Sequence, residues 1–391
     1  KKSYLKRVSA EMRKIMAMLA GILLALLVTI GYEGYLSVQI SDHREVVRDY
    51  RTYERFWSSG TQKLIMDQNT LPVFGSSELV SLEDYEKNVS SFLNGPDMNI
   101  VTIGAGWFQS LSHAMSLGAV ADAVPGNKVA LILSPQWFGE QESLKNAFPE
   151  RFGEENLLEF LQNDKISDAN KEYVLHRTLS LLADSPMQYS RIVKYKNAYE
   201  NRFSIDGVYT LIMRKYWNLR GKYHVYKQLP NMHKELPSAD LSAMDYDKML
   251  ELAERQAEAS CTNNDFGIYD SYWDTYVKET YEKGEVKEKT QIFTESVEYE
   301  DLRCFLNVAK ELDLEVILVS VPVHEKWYWY QGWLCDEYYS NIQTIAKEYS
   351  NLSFVDLTEY ADEKYFLKDV MHLGWKGWVR VNEALYHEFK K

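Results

Sequence analysis

The chain reads as an α/β protein: a three-layer domain with a parallel sheet and a large helical insertion, preceded by one N-terminal transmembrane helix. Three observations predict this. Short, β-branched, near-continuously apolar runs recur and are mostly separated by helix-like stretches, the pattern of parallel strands buried on both faces. Residues 139–312 interrupt that series with little strand character. Residues 15–32 carry no charged side chain.

The elements follow in order. Eighteen residues at 1.5 Å rise span about 27 Å, enough for a bilayer core. Before them, residues 1–14 hold six basic side chains (Lys1, Lys2, Lys6, Arg7, Arg13 and Lys14) against Glu11, a net +5. The positive-inside rule keeps that basic tail in the cytoplasm and exports the rest. No small-x-small site follows in Val28-Thr29-Ile30-Gly31-Tyr32-Glu33, which favours a retained anchor over a cleaved signal peptide. The run is apolar on every face, which argues against a buried core helix. Residues 33–70, rich in Arg, Asp, Glu and Tyr, read as a stalk, and residues 71–391 as the extracytoplasmic domain.

Within that domain the strands are expected at Leu71–Phe74, Asn99–Gly104, Lys128–Ser134, Glu315–Val321 and Leu352–Leu357. Segments such as Glu155–Gln162 and Tyr246–Ala259 have helical spacing with charged faces, so the interruption at 139–312 reads as a mostly helical insertion. The whole-chain charge of −13 less the tail's +5 leaves −18 for residues 15–391. Such an acidic exterior argues against nucleic acid and against long-range attraction to polyanions. Three cysteines, Cys261, Cys304 and Cys335, allow at most one disulfide, and their spacing suggests no zinc site. With 46% hydrophobic and 14% aromatic residues, the chain has ample material for a core.

The chemistry is carried by two motifs at opposite ends of the domain. The first predicted strand ends in Phe74-Gly75-Ser76-Ser77-Glu78-Leu79, which places Ser77 at the carboxyl end of a buried strand, where open α/β sheets hold their sites. A helix beginning there offers free N–H groups to a developing oxyanion. A serine N-cap explains Gly-Ser-Ser equally simply. Near the far end, Asp369-Val370-Met371-His372 spaces a carboxylate to reach imidazole Nδ1, fix its tautomer and leave Nε2 for a serine. Alone, a surface aspartate and a core histidine account for it. Together, in the order Ser…Asp…His on a parallel sheet, the motifs point to serine-dependent acyl transfer by Ser77, His372 and Asp369.

Further candidates lie at the other strand ends. Gly104-Ala105-Gly106 closes the second strand, where the N–H of Gly106 would join that of Ser77 in an oxyanion hole; Gln136 in Ser134-Pro135-Gln136-Trp137-Phe138 is a candidate side-chain donor. A plain βα turn accounts for each equally well. Glu78 is a candidate for the substrate ammonium, or a first-turn carboxylate favoured by the helix dipole. The aromatic run Trp327–Trp333 is a candidate cleft wall or ordinary core. No P-loop, His-Glu-x-x-His or Gly-x-Ser-x-Gly is present, and no cofactor or metal is called for.

Val73-Phe74-Gly75-Ser76-Ser77-Glu78-Leu79, Gly104-Ala105-Gly106, Ser134-Pro135-Gln136-Trp137-Phe138, Asn264-Asp265-Phe266-Gly267-Ile268 and Asp369-x-x-His372-x-Gly374-Trp375-Lys376-Gly377-Trp378 resemble the motifs of the DltD family. That family is membrane-anchored, serves D-alanylation of teichoic acids in Gram-positive bacteria, and itself resembles SGNH/GDSL hydrolases. The resemblance implies an SGNH-like fold with Ser77 as nucleophile, Ser76 in the place of that superfamily's aspartate, and His372 and Asp369 as its Asp-x-x-His. The superfamily's Asn is replaced by Ser134-Pro135-Gln136, so the side-chain oxyanion donor departs from its pattern. Trp375, in the tryptophan-bearing motif, becomes a candidate substrate contact. The implied partners are a D-alanyl carrier protein pathway, a DltB-like membrane-bound O-acyltransferase and a teichoic acid acceptor such as lipoteichoic acid. Three functional classes stay open: an O-acyltransferase, an esterase or thioesterase on the same scaffold, and a non-catalytic assembly factor.

Overall fold

The computed structural model describes residues 2–49, 53–80, 92–139, 141–232, 238–284, 286–288, 295–333 and 335–391. Lys1 of the basic tail, 50–52 of the presumed stalk, and 140, 233–237, 285 and 289–294 of the insertion lie outside the described residues.

Five parallel strands form one sheet: β1 (Thr70–Phe74), β2 (Asn99–Ile103), β3 (Lys128–Leu133), β4 (Glu315–Ser320) and β5 (Leu352–Asp356). Their order is β2-β1-β3-β4-β5, so the chain reverses its direction of winding between β1 and β3. Ligands of open α/β sheets collect at such a switch point, outside the carboxyl ends of the strands. The apolar runs become strands because β-branched side chains fit a pleat covered on both faces.

The helices used below are α1 (Lys2–Asp42), α2 (Ser59–Ile65), α3 (Ser110–Val120), α4 (Glu154–Gln162), α5 (Pro186–Glu200), α6 (Ile205–Gln228), α7 (Tyr246–Glu258), α8 (Glu298–Glu311) and α9 (Trp375–Lys390). Alternation along the strands sorts the core into two layers. Phe74, Val101, Ile103, Val129, Leu131 and Leu318 face one side and pack on Leu111 and Met115 of α3 and Phe305 of α8. Val73, Ile100, Ala130, Ile132 and Val319 face the other and pack on Trp378, Val381 and Leu385 of α9. Helix, sheet and helix make the three layers. Between β3 and β4 the described residues are largely helical.

Within α1, residues 11–42 include a stretch of mean hydropathy 2.4 with none of it buried in the protein, so this helix is long and apolar enough to anchor the chain in a membrane. The segment from 33 to 70 is packed where it is described, and does not stand clear of the domain. Leu36, Ile40, Val47, Phe56 and Ile65 are buried. Glu33 pairs with Lys215 and Lys222 of α6. Arg55, wholly buried, donates to the carbonyls of Val47 and Arg48 and to Thr102 Oγ1 of β2. Its guanidinium carries enough donors to bridge main chain and sheet at once, which is why a charged residue sits inside here.

Candidate active site

Ser77 opens a single 3₁₀ turn (Ser77–Val80) directly after β1. The turn is tight because Gly75 and Gly104 meet: Gly104 has φ +137°, and a side chain there would run into the carbonyl of Gly75. Only glycine tolerates both constraints. The carboxylate of Glu78 folds back onto the turn and accepts the Ser76 N–H at 2.7 Å. Burial pushes its pKa up, against those hydrogen bonds and the nearby charge of His372. The structure therefore places Glu78 beneath the Ser77 turn as its brace.

Asp369 and His372 occupy a compact loop closed on itself by the Lys368 N–H bond to the His372 carbonyl at 3.0 Å and by the Leu367–Leu373 bridge. Two neighbouring loops hold it from outside. The N–H of His324 donates to the Val370 carbonyl at 2.9 Å, and that of Tyr269 to the Lys368 carbonyl at 2.9 Å. The Asn264–Ile268 motif shapes one of these loops. Asn264 bonds both the N–H and the carbonyl of Ile268, and the Phe266 ring stacks on His324 at 4.2 Å. Phe266, Ile268, Trp273, Val323, Tyr328 and Val370 form one aromatic-rich cluster, so the 327–333 run backs the Asp369–His372 loop.

These two halves, 295 residues apart, meet. Ser77 Oγ lies 2.7 Å from His372 Nε2, and His372 Nδ1 lies 2.8 Å from Asp369 Oδ2. Asp369 Oδ1 also accepts the N–H groups of Met371 and His372, each at 2.8 Å. Burial raises the Asp369 pKa, but the imidazole's hydrogen bond and charge and the two N–H donors outweigh it, leaving the carboxyl below its usual range. For His372, burial disfavours the cation, yet the bond to Asp369, its charge and that of Glu78 hold the imidazole pKa above its ordinary value. Asp369 is buried, whereas Ser77 and His372 are half-buried and open to a substrate. The arrangement provides a hydroxyl beside a base whose tautomer is set by a carboxylate.

The other candidates fall around this line. Gly106 sits against Ser77, with the position of an added Cβ only 3.8 Å from the serine Cβ. Among the described residues, neither the Ser77 nor the Gly106 N–H has an acceptor. Gln136 lies in the 3₁₀ turn Pro135–Phe138 after β3, half-buried, and its side-chain amide makes no hydrogen bond among the described residues. Trp375 is buried in another cluster, edge-on to Tyr269 at 4.8 Å and packed with Ala253, Ala257 and Val379. It steadies the loop through Tyr269.

Two residues near the site escaped the sequence reading. Trp107 takes φ +71°, a strained conformation for a bulky residue, immediately after Gly106. Arg151 donates from Nε to the Gly106 carbonyl at 3.2 Å. Only the position of Trp107 beside Gly106 was a signal; Arg151 carried none. The three cysteines are free and buried. Among the described residues no group of His, Cys, Asp and Glu gathers to hold a metal ion. A cleft of about 230 Å³ lined by Trp57, Phe152, Trp217, Arg220 and His224 contains no member of the Ser77–His372–Asp369 line.

Fold and site together define a parallel α/β protein with Ser77, His372 and Asp369 in one hydrogen-bonded line beyond the carboxyl end of β1. Comparison with known sequences is specific: residues 53–390 match the DltD family, described as DltD protein. Protein DltD of Bacillus subtilis (strain 168) is 27% identical over 335 residues, covering 84% of each chain. Protein DltD of Lacticaseibacillus rhamnosus is 26% identical over 344 residues, covering 82% of this chain and 77% of its own. That of Staphylococcus aureus (strain NCTC 8325 / PS 47) is 26% identical over 332 residues, covering 84% and 83%. The chain belongs to the DltD family, and that membership supports a role in teichoic acid D-alanylation.

Proposed function

We propose that the chain is an extracytoplasmic O-acyltransferase that moves D-alanine onto hydroxyls of teichoic acid through Ser77, His372 and Asp369. The observation that carries this reading is the 2.7 Å contact between Ser77 Oγ and His372 Nε2, with Asp369 on the opposite ring nitrogen. His372 takes the Ser77 proton as Oγ attacks the carbonyl carbon of a D-alanyl ester or thioester. The bond to the donor's alcohol or thiol breaks, and that leaving group receives the proton from His372. A polymer hydroxyl then attacks the D-alanyl-Ser77 ester, gives its proton to His372, and Ser77 regains one. Ester exchange conserves bond type, so no nucleotide is consumed. The N–H groups of Ser77 and Gly106 receive the oxyanion, with Gln136 as a further donor.

The donor comes, on this reading, from a carrier-protein pathway through a DltB-like membrane-bound O-acyltransferase. A chain anchored by α1 with its basic end in the cytoplasm would present the site on the outer side. Ser77 and His372 keep part of their surface in solvent, where an acceptor hydroxyl can reach them.

The test is Ser77→Ala in cells that lack the native protein. Loss of ester-linked D-alanine from teichoic acid, with the variant present at normal levels in the membrane, is the expected result. Unchanged D-alanylation would remove the nucleophile and leave an assembly role. Rapid hydrolysis of small activated esters by the wild type without acceptor would instead favour an esterase.

A further inference from the structure

Helix α6 carries an apolar face that the domain does not cover. Ile205 and Phe203 just before it are 89% and 87% exposed, and Val208, Leu211 and Ile212 are also exposed. The face sits at the tip of the hairpin that α5 and α6 form around residues 201–204. That tip is ordered by its own bonds: Ser204 caps Gly207, and Asn197 Nδ2 donates to Asp206 Oδ2 at 2.9 Å. An ordered apolar tip in water is unfavourable unless something covers it.

The direction of α6 says what covers it. Glu33 of α1 pairs with Lys215 and Lys222, Ser37 accepts from Lys222, and Tyr35 meets Tyr226 at 3.0 Å between hydroxyls. Leu211, Arg214 and Lys215 line a cleft together with Glu33. The two helices thus run side by side in the same sense, and the start of α6 points back along α1 toward its charge-free stretch. From Lys215 to Ile205 is ten residues, about 15 Å of helix. The tip therefore lies well beyond the level of Glu33, where the charge-free run of α1 ends. Arg202, stacked over the Phe203 ring at 5.2 Å, supplies a cation suited to lipid phosphates at the tip, while Lys196 nearby is paired with Glu200.

We infer that the α5–α6 hairpin tip is a second membrane contact, inserting Phe203, Ile205 and Ile212 into the lipid surface beside the α1 anchor. This goes beyond the acyl-transfer reading and rests only on α1 crossing the bilayer. A single spanning helix can still tilt and turn in the bilayer, carrying the domain docked on it; a second contact fixes the domain's height and rotation over the membrane.

The test uses the full chain reconstituted into vesicles of phosphatidylglycerol and phosphatidylethanolamine. Phe203→Cys and Ile205→Cys are labelled with an environment-sensitive fluorophore, the native cysteines being buried. Glu359→Cys, in the exposed turn after β5 at the sheet edge away from β2, is the reference. Quenching by lipid-borne bromine or nitroxide should be at least about 3-fold stronger at 203 and 205 than at 359, with a blue-shifted emission. Equal quenching at all three sites overturns the inference. So does protection of 203 and 205 only in native membranes holding the other D-alanylation components, which would make the face a protein-docking surface. A Phe203→Ser/Ile205→Ser double variant keeps the soluble fold intact, and its melting midpoint should match the wild type in detergent.

Discussion

Replacing Asp369 by Asn isolates the electrostatic part of the constellation without changing its volume. Asp369 makes three contacts of 2.8 Å: Oδ1 with the N–H groups of Met371 and His372, and Oδ2 with His372 Nδ1. In the variant the amide oxygen keeps the two backbone donors, and the NH₂ group turns toward the imidazole. Nδ1 must then accept, so the ring proton moves to Nε2, the atom facing Ser77, and His372 can no longer take the hydroxyl proton. In serine hydrolase triads this change costs about 10⁴ in turnover, or about 5.5 kcal/mol of barrier. Because the wild-type imidazole pKa is held up by Asp369 against burial, its removal also lowers that pKa. The base is active when neutral. Wild-type rates should therefore fall as pH drops through a value above 6.5, and the residual activity of Asp369→Asn should persist to lower pH. Stability moves with opposite signs for the two partners. The depressed Asp369 pKa contributes above about pH 4 and is lost on acidification, whereas the raised His372 pKa contributes below about 6.5 and is lost on alkalinisation. The pair thus stabilises most between those limits, and the variant should lose about 2 kcal/mol there. Initial rates of D-alanine transfer in membranes, taken between about pH 5.5 and 8, read the first two effects, and chemical denaturation reads the third. A rate loss under about 10-fold with an unmoved acid limb would refute the triad reasoning.

Gly104→Ala puts a Cβ into the Gly75 carbonyl at φ +137°. It should cost about 3 kcal/mol or more and displace the Ser77 turn; thermal melting and transfer rate should fall together. Glu298, wholly buried, accepts the Ser110 N–H at the start of α3 at 2.8 Å, and burial pushes its pKa up to about 8. Its folded value above the unfolded one means stability is lost as pH rises from about 4.5 to 8. Glu298→Gln, which keeps the acceptor, should therefore raise the melting midpoint at pH 9 and have little effect at pH 5; equal shifts at both would be contrary.

The runs of β1 to β4 were legible because they are short, apolar and buried on both faces, whereas β5 at the sheet edge is only partly covered. Ser77, Asp369 and His372 stood out through their chain order, with Ser77 just after the end of a strand. The segment from 33 to 70 was opaque. Its buried Leu36, Ile40, Val47 and Phe56 are scattered among charges that normally mark solvent, and the wholly buried Arg55 earns its place only through carbonyls and a strand that sequence does not put beside it. Glu78 and Trp375 were visible as residues but not as contacts. A carboxylate after a nucleophile serves a substrate ammonium or its own turn equally well, and only the 2.7 Å bond to the Ser76 N–H decides.

That bond bears on why the site works as two rigid halves. The Ser77 side is stiffened locally, by Glu78 under the turn and by the close approach of Gly75 and Gly104. The Asp369–His372 side is stiffened from afar, by the loops around Tyr269 and His324, each contributing one backbone N–H. Both of those loops are backed by aromatic packing of Phe266, Trp273 and Tyr328. Between the halves, Ser77 bonds directly to His372, and the charge of Glu78 reaches the same imidazole. A hydroxyl–imidazole bond is worth about 1 kcal/mol, too little to draw two mobile loops into register. The alignment must therefore be set by the scaffold before a substrate arrives, and the large aromatic investment around Val370 is the physical means of setting it.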